Sequence, residues 1–231
     1  MVKSFRFLFS FALVNLMAVF GCAAILIAGC YASGITYDAS RHTIFENYYS
    51  MSPFMILLFL FLYAFSLCTS SLNLGLSFGA RRRDFFWAIQ GILLLYTAAG
   101  WALQLFLTAL PSAANWAERD GWSLLVFYNG KFWTFPLLCV AFQVLGCLFG
   151  LLMVRHRLLA ALLLVFVCLG MSVGTALMLM ATDTRMAVVL TGDGFGWLFT
   201  TLPKLLTAAL AVISAGGELL MWRAIRNYTV R

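Results

Sequence analysis

Long apolar stretches, separated by short polar segments, run along the whole chain. Each of them reaches about 20 residues, the length that a helix needs to cross the hydrocarbon core of a bilayer. None alternates between polar and apolar residues at every second position, as the strands of a membrane barrel do. We therefore predict an all-α polytopic membrane protein that forms a single transmembrane domain, residues 1–231. The six predicted spans are 8–31, 53–72, 86–110, 135–154, 158–180 and 203–221.

Composition agrees with this pattern and excludes a soluble globular domain. Hydrophobic residues make up 64% of the 231 residues and charged residues only 10%. Soluble domains have about 45–50% apolar and about 25% charged residues. Because a single domain of this size still exposes much of its surface, a water-soluble fold could not bury so much apolar area. The solvent of this chain is therefore lipid.

Basic residues concentrate on alternate connections between the spans. One side of the predicted membrane carries ten of them, namely Lys3, Arg6, Arg81, Arg82, Arg83, Arg155, Arg157, Arg223, Arg226 and Arg231. The other side carries five, namely Arg41, Arg119, Lys131, Arg185 and Lys204. Because loops rich in Lys and Arg stay in the cytoplasm, both termini and the arginine triplet are predicted to face it, in a multi-pass protein of the inner or plasma membrane. The net charge of +7 therefore reflects topology and does not indicate nucleic-acid binding.

The connection before the last predicted span contains too few consecutive apolar residues to cross the membrane. It covers Arg185–Thr201, and Gly192, Gly194 and Gly196 interrupt it. Irregular backbone at membrane depth must be shielded by protein. We therefore predict a re-entrant or interfacial hairpin before span six.

The densest charge of the chain lies between spans two and three, in the sequence LSFGARRRDFF. Each arginine at the centre of a bilayer costs about 2.5–3.5 kcal/mol, so Arg81–Arg83 must lie in water or against a partner. A topology signal accounts for the charge but not for the large apolar residues that flank it. An amphipathic helix at the membrane surface and a helix that inserts into a groove of a soluble protein both fit the pattern.

This segment resembles the one that follows the second span in bacterial ABC-2 type transporter permeases, where a glycine precedes a basic cluster and an aromatic pair. The predicted order is similar too, with six spans, cytoplasmic termini and a broken hairpin before the last span. In that family the segment forms a coupling helix, which docks into a cleft of the ATPase subunit. The resemblance implies this ATPase-docking role for Gly79, Arg81, Arg82, Arg83, Asp84, Phe85 and Phe86.

Hydroxyl and amide side chains share one helical face at the inner end of span two. These residues are Ser66, Thr69, Ser70 and Asn73. They are candidates for the lining of a transport path, and the alternative is hydrogen bonding to neighbouring helices or to the carbonyl four residues earlier. Met171 and Met178 of span five are further lining candidates, because methionine gives a flexible, polarizable surface, although it also simply fills gaps.

Two pairs of glycines, each spaced by four residues, lie in spans four and five. They are Gly146 with Gly150 and Gly170 with Gly174. Such pairs let helices approach closely. We favour packing within one bundle over dimerisation through these faces.

Three polar side chains are the most costly to place in the predicted spans: Gln104, Gln143 and Glu218. Glu218 lies about one turn from the inner end of span six, near Arg223, so we predict that its carboxylate reaches the membrane interface. The alternative is a proton-coupled carboxylate.

Catalytic signatures are missing from the sequence. The chain has no GxxxxGK[ST] loop to hold nucleotide phosphates, no HExxH and no GxSxG. His42 and His156 fall on opposite sides of the predicted membrane. The cysteines lie in apolar runs without the spacing of metal ligands; they are Cys22, Cys30, Cys68, Cys139, Cys147 and Cys168. We therefore expect no enzyme, no metal site and no cofactor in this chain.

The sequence thus leads to one function and two alternatives. The resemblance implies a permease subunit of an ATP-binding cassette transporter that exports a hydrophobic or amphipathic substrate, such as a lipid, a drug or an antimicrobial peptide. ATP and Mg²⁺ would bind a separate ATPase partner, and a second permease copy or a paralogue would complete the pathway. The alternatives are the substrate-capture component of a vitamin-type uptake transporter and a non-transporting membrane scaffold or sensor.

Overall fold

The computed structural model describes residues 2–79, 81–118, 133–163, 165, 169 and 196–227. Regular secondary structure in these ranges is entirely helical. The helices are α1 (Val2–Ala32), α2 (Ile44–Ser50), α3 (Ser52–Ser66), α4 (Leu72–Ser77), α5 (Arg82–Ala113), α6 (Thr134–Arg155) and α7 (Gly196–Arg226), and residues 157–163 are also helical.

Five helical stretches within the described ranges are long and apolar enough to cross a membrane. They are Ser4–Ala32, Ser52–Ser77, Arg82–Ala113, Thr134–Arg155 and Ala208–Arg226. A polytopic membrane protein is thereby confirmed, and five of the six predicted spans lie inside observed helices. The remaining span, 158–180, falls mostly outside the described residues, so the count of six stays a prediction. Of the predicted hairpin, 185–195 also lies outside them, and 196–201 forms the first turns of α7.

A single π-helical turn, Leu67–Ser71, joins α3 to α4. The chain therefore continues through the turn as one span from Ser52 to Ser77. A π turn accommodates an extra residue without ending the helix, and such turns often occur at functional sites. Leu67 and Cys68 of this turn are buried in the bundle.

Helices α3 and α6 pack closely and run parallel to each other. A Cβ atom at Gly146 would overlap the carbonyl oxygen of Phe61, and one at Gly150 would lie 2.7 Å from the carbonyl oxygen of Phe65. The glycine pair therefore lets α6 lie directly against the backbone of α3, inside one bundle as predicted. The second pair, Gly170 with Gly174, lies outside the described residues.

The helix directions give the bundle two distinct ends. Phe5, near the start of α1, lies against Gly91, near the start of α5, so these helices run in the same direction. The carbonyl of Arg226, at the end of α7, lies beside Arg82 at the start of α5. We call this end the basic end, because the helix termini here carry Arg6, Arg81, Arg82, Arg83, Arg155, Arg223 and Arg226.

The opposite end is closed by aromatic side chains, and we call it the aromatic end. Tyr49 of α2 is fully buried and donates a 2.7 Å hydrogen bond to the carbonyl of Leu107. Trp116 donates to the hydroxyl of Tyr31 over 3.1 Å. The connections after α1 and after α5 are held together by a 2.7 Å backbone bond from Ala117 to Thr36. Burial raises the pKa of Tyr49 well above its ordinary value, so its hydroxyl remains a donor.

Candidate functional sites at the basic end and in the bundle

The arginine triplet lies on a tight turn between α4 and α5. Gly79 has a φ of +81°, a left-handed conformation that favours glycine. Arg81 is extended and caps α5, which begins at Arg82. The triplet is therefore the cap and first turn of a spanning helix of 32 residues. The described residues contain no separate helix between spans two and three, so a coupling helix distinct from α5 stays a prediction.

The three arginine side chains are exposed at the basic end, and large apolar groups flank them. Phe78 is 76% exposed and Trp87 is 51% exposed. An open cavity of about 440 Å³ is lined by Arg81, Arg83, Asp84 and Trp87. The surface thus combines cationic and aromatic side chains, the types that dominate the energetics of protein interfaces.

Phe85 and Phe86 do not belong to this exposed surface. Phe85 is completely buried, and its ring packs so tightly on Gly75 that a Cβ atom there would overlap it. Phe86 makes an edge-to-face contact with Trp222 of α7, with ring centroids 4.9 Å apart. Both phenylalanines therefore hold the turn onto the bundle. The docking role that the resemblance implies for Phe85 and Phe86 stays a prediction, and in this structure the exposed aromatic side chains of the segment are Phe78 and Trp87.

Arg82 differs from its neighbours because it bridges two helices. Its Nη1 donates a 3.1 Å hydrogen bond to the carbonyl of Arg226. The last carbonyls of a helix have no partner within the helix, and a cation is favourable there. Together with the contact between Phe86 and Trp222, this bond ties the start of α5 to the end of α7.

A second candidate site is a set of polar side chains inside the bundle, which we call the polar seam. It consists of Gln90, Thr97 and Gln104 on α5, Gln143 on α6 and Glu218 on α7. Gln90 Nε2 donates to a carboxylate oxygen of Glu218. Thr97 Oγ1 lies 3.3 Å from Gln143 Oε1, and Gln104 Nε2 lies 3.3 Å from the hydroxyl of Thr108. Gln104 and Gln143 are at most 1% exposed.

Glu218 is half-buried, and its predicted position at the membrane interface stays a prediction. Its carboxylate bonds to Gln90 across the interface between α5 and α7, within the bundle. Gln90 was not singled out from the sequence, although a signal existed. Gln90, Thr97 and Gln104 recur every seven residues, which places them on one face of an α-helix.

The polar face predicted at the end of span two lies around the π turn. The Thr69 hydroxyl donates to the carbonyl of Phe65 over 3.1 Å, and Asn73 Nδ2 donates to the carbonyl of Thr69 over 3.1 Å. This is the bonding to earlier carbonyls that the sequence left open as an alternative. Ser66 and Ser70 are exposed. Met171 and Met178 lie outside the described residues, so the pathway-lining assignment stays a prediction.

Comparisons with known proteins do not place the chain in a family. No protein-family model matches it, and neither a curated protein nor a solved structure is significantly similar. The basic end and the polar seam are therefore the features on which a function can be proposed.

Proposed function

We propose that this chain is the permease subunit of an ATP-binding cassette transporter of the exporter type. A separate ATPase would dock at the basic end, and a second copy or a paralogous permease would complete the pathway for a hydrophobic or amphipathic substrate. Both termini and the docking surface would then face the cytoplasm, where ATP is available.

The observation that carries this proposal is the exposed surface of Phe78, Arg81, Arg83 and Trp87 on the first turn of α5. The arginines would steer the permease to acidic groups on the ATPase, and the two aromatic rings would be its buried anchors. A stiff helix that begins at this surface runs the full depth of the bundle. A displacement imposed by the ATPase would therefore reach the polar seam without an intervening flexible segment.

The polar seam supports transport over a purely structural role. Polar side chains within the hydrocarbon region are costly and usually line a path or a cavity between helices. Here three of them follow one face of α5, starting near the proposed docking end.

The proposal predicts that an ABC ATPase binds the purified chain through the exposed surface. We expect a Phe78→Ala, Trp87→Ala double variant to bind it about tenfold more weakly or worse, since each aromatic anchor is worth 1 kcal/mol or more. Arg81→Ala with Arg83→Ala should weaken binding in a salt-dependent manner. Purification in mild detergent, followed by mass spectrometry of bound proteins, measures both effects.

The matched control is Arg155→Ala with Arg157→Ala, which removes the same charge from the basic end but not from the proposed surface. It should retain the ATPase. Phe85→Ala with Phe86→Ala should instead lower thermal stability, because both rings are buried. Absence of any ABC ATPase from the wild-type preparation, or undiminished recovery with both surface variants, would refute the proposal.

A further inference from the structure

Glu218 is a half-buried carboxylate on α7 that has no basic partner among the residues that the structure describes. It lies eight residues before the end of α7 at Arg226, about 12 Å along the helix axis. Its hydrogen-bond partner is the neutral amide of Gln90. Within the described ranges no lysine or arginine lies within 4.0 Å of its oxygens. Arg82 of α5 lies more than two turns from Gln90 and donates to the carbonyl of Arg226.

Such a group needs a counter-charge. An ionised carboxylate away from water is strongly disfavoured unless it is paired, and one amide hydrogen bond does not neutralise it. Carboxylates within spans therefore mark proton or substrate sites by default.

The backbone around Glu218 leaves space for a ligand. Gly217 lies directly against Val144 of α6, which fixes α7 beside that helix. Because helical side chains lean toward the N-terminus and meet the residues three and four positions earlier, the carboxylate lies over Ser214 and Ala215. Ser214 is buried, whereas Ala215 is small and exposed, so the carboxylate lies at the border between the bundle and its surface. An amphipathic molecule could therefore approach it from the membrane without displacing a large side chain.

We propose that Glu218 binds the positive charge of a lipophilic cation, with Gln90 orienting its carboxylate. This inference rests on the proposed transport function and narrows its substrates to amphipathic molecules that carry a cationic group. The exposed side chains that share this face of α7, Ala211 and Ala215, are apolar and would contact the apolar part of such a molecule. A single carboxylate suits an organic cation better than a metal ion, which requires several oxygen ligands.

Binding of tetraphenylphosphonium to the full chain in lipid nanodiscs tests this assignment. We expect saturable binding to the wild type and at least about tenfold weaker binding to Glu218→Gln, since an ion pair in a partly buried site is worth more than one at the surface. Glu46→Gln, which removes a carboxylate at the aromatic end, is the matched control and should bind like the wild type. Tetraphenylborate, an anion of the same shape, should bind Glu218→Gln at least as well as the wild type, because the substitution removes a repulsive negative charge.

A second measurement does not depend on the folding of a variant. A hydrophobic carbodiimide should modify Glu218 in the wild type, detected by mass spectrometry, and tetraphenylphosphonium should slow that modification. Modification that the cation does not slow would show a carboxyl that only exchanges protons, and this would overturn the inference. Equal cation binding by the wild type and Glu218→Gln would overturn it as well.

The permease function and the cation site at Glu218 can be refuted independently, because cation binding needs no ATPase. Recovery of an ABC ATPase together with unchanged binding by Glu218→Gln would leave the permease function standing and refute the site. Loss of cation binding in Glu218→Gln without any ATPase partner would retain the site and refute the permease function.

Discussion

At the scale of single residues, Tyr49 shows how a polar group is tolerated in an apolar setting. Its ring is fully buried, and its hydroxyl has the Leu107 carbonyl as a partner. We expect Tyr49→Phe to lower the free energy of unfolding by about 1 kcal/mol, the net value of one such hydrogen bond. Thermal unfolding in detergent measures it, and Tyr48→Phe, at a half-exposed neighbouring ring, should change little.

The raised pKa of Tyr49 adds a dependence on pH. In the unfolded chain a tyrosine hydroxyl ionises at about pH 10. In the folded protein, burial keeps the Tyr49 hydroxyl protonated to higher pH. The contribution of Tyr49 to stability is therefore complete below about pH 10 and is lost as the pH rises above that value. Between pH 9 and pH 11, Tyr49→Phe should lose less stability than the wild type. Parallel curves for the two proteins would contradict this account.

The sequence shows which residues are costly but not which partners they find. Glu218 stood out as a polar group in an apolar run, yet its partner Gln90 lies 128 positions away. Phe85 and Phe86 are adjacent, so helical periodicity alone does not predict that both are buried. Both rings are buried because Phe85 packs on Gly75 and Phe86 packs on Trp222. Such contacts depend on tertiary packing, which no local pattern encodes.

At the scale of elements, the contact between α3 and α6 depends on the absence of two side chains. We expect Gly146→Ala to destabilise the fold by about 1–3 kcal/mol, the usual range for overpacking. The added methyl group would meet a backbone carbonyl, which cannot change rotamer. Gly21→Ala on α1, where a Cβ atom meets nothing within 4 Å, is the control and should be neutral or slightly stabilising. Equal unfolding temperatures for the two variants would exclude this packing.

Elements were easier to predict than their irregularities. Apolar length alone located five helices to within a few residues at most ends, because the cost of unpaired backbone in lipid leaves few alternatives. The π turn at Leu67–Ser71 was missed, since one extra residue in a turn leaves the hydropathy pattern unchanged. The short helix α2 was missed for a different reason. Its burial comes from Trp116, which lies in another connection.

At the scale of the whole molecule, the distribution of arginines predicts orientation. We expect the basic end and both termini to face the cytoplasm. Fusions of a compartment-specific reporter after Arg83 and at Arg231 should both report a cytoplasmic location, and a fusion after Arg41 should report the opposite side. An external signal at either basic position would exclude this topology and, with it, docking of a cytoplasmic ATPase.

The bond between Arg82 and Arg226 has a consequence for biosynthesis. The two residues are separated by 144 positions, so the ribosome completes α5 long before the carbonyl that Arg82 needs exists. At typical rates of about 5–20 residues per second, the first turn of α5 waits on the order of ten seconds for its partner. During that interval the triplet is unanchored on one side, and Phe86 has no Trp222 to cover it. We expect membrane chaperones to bind the nascent chain at this stage. Phe86 would stay uncovered until α7 has been synthesised and packs against α5.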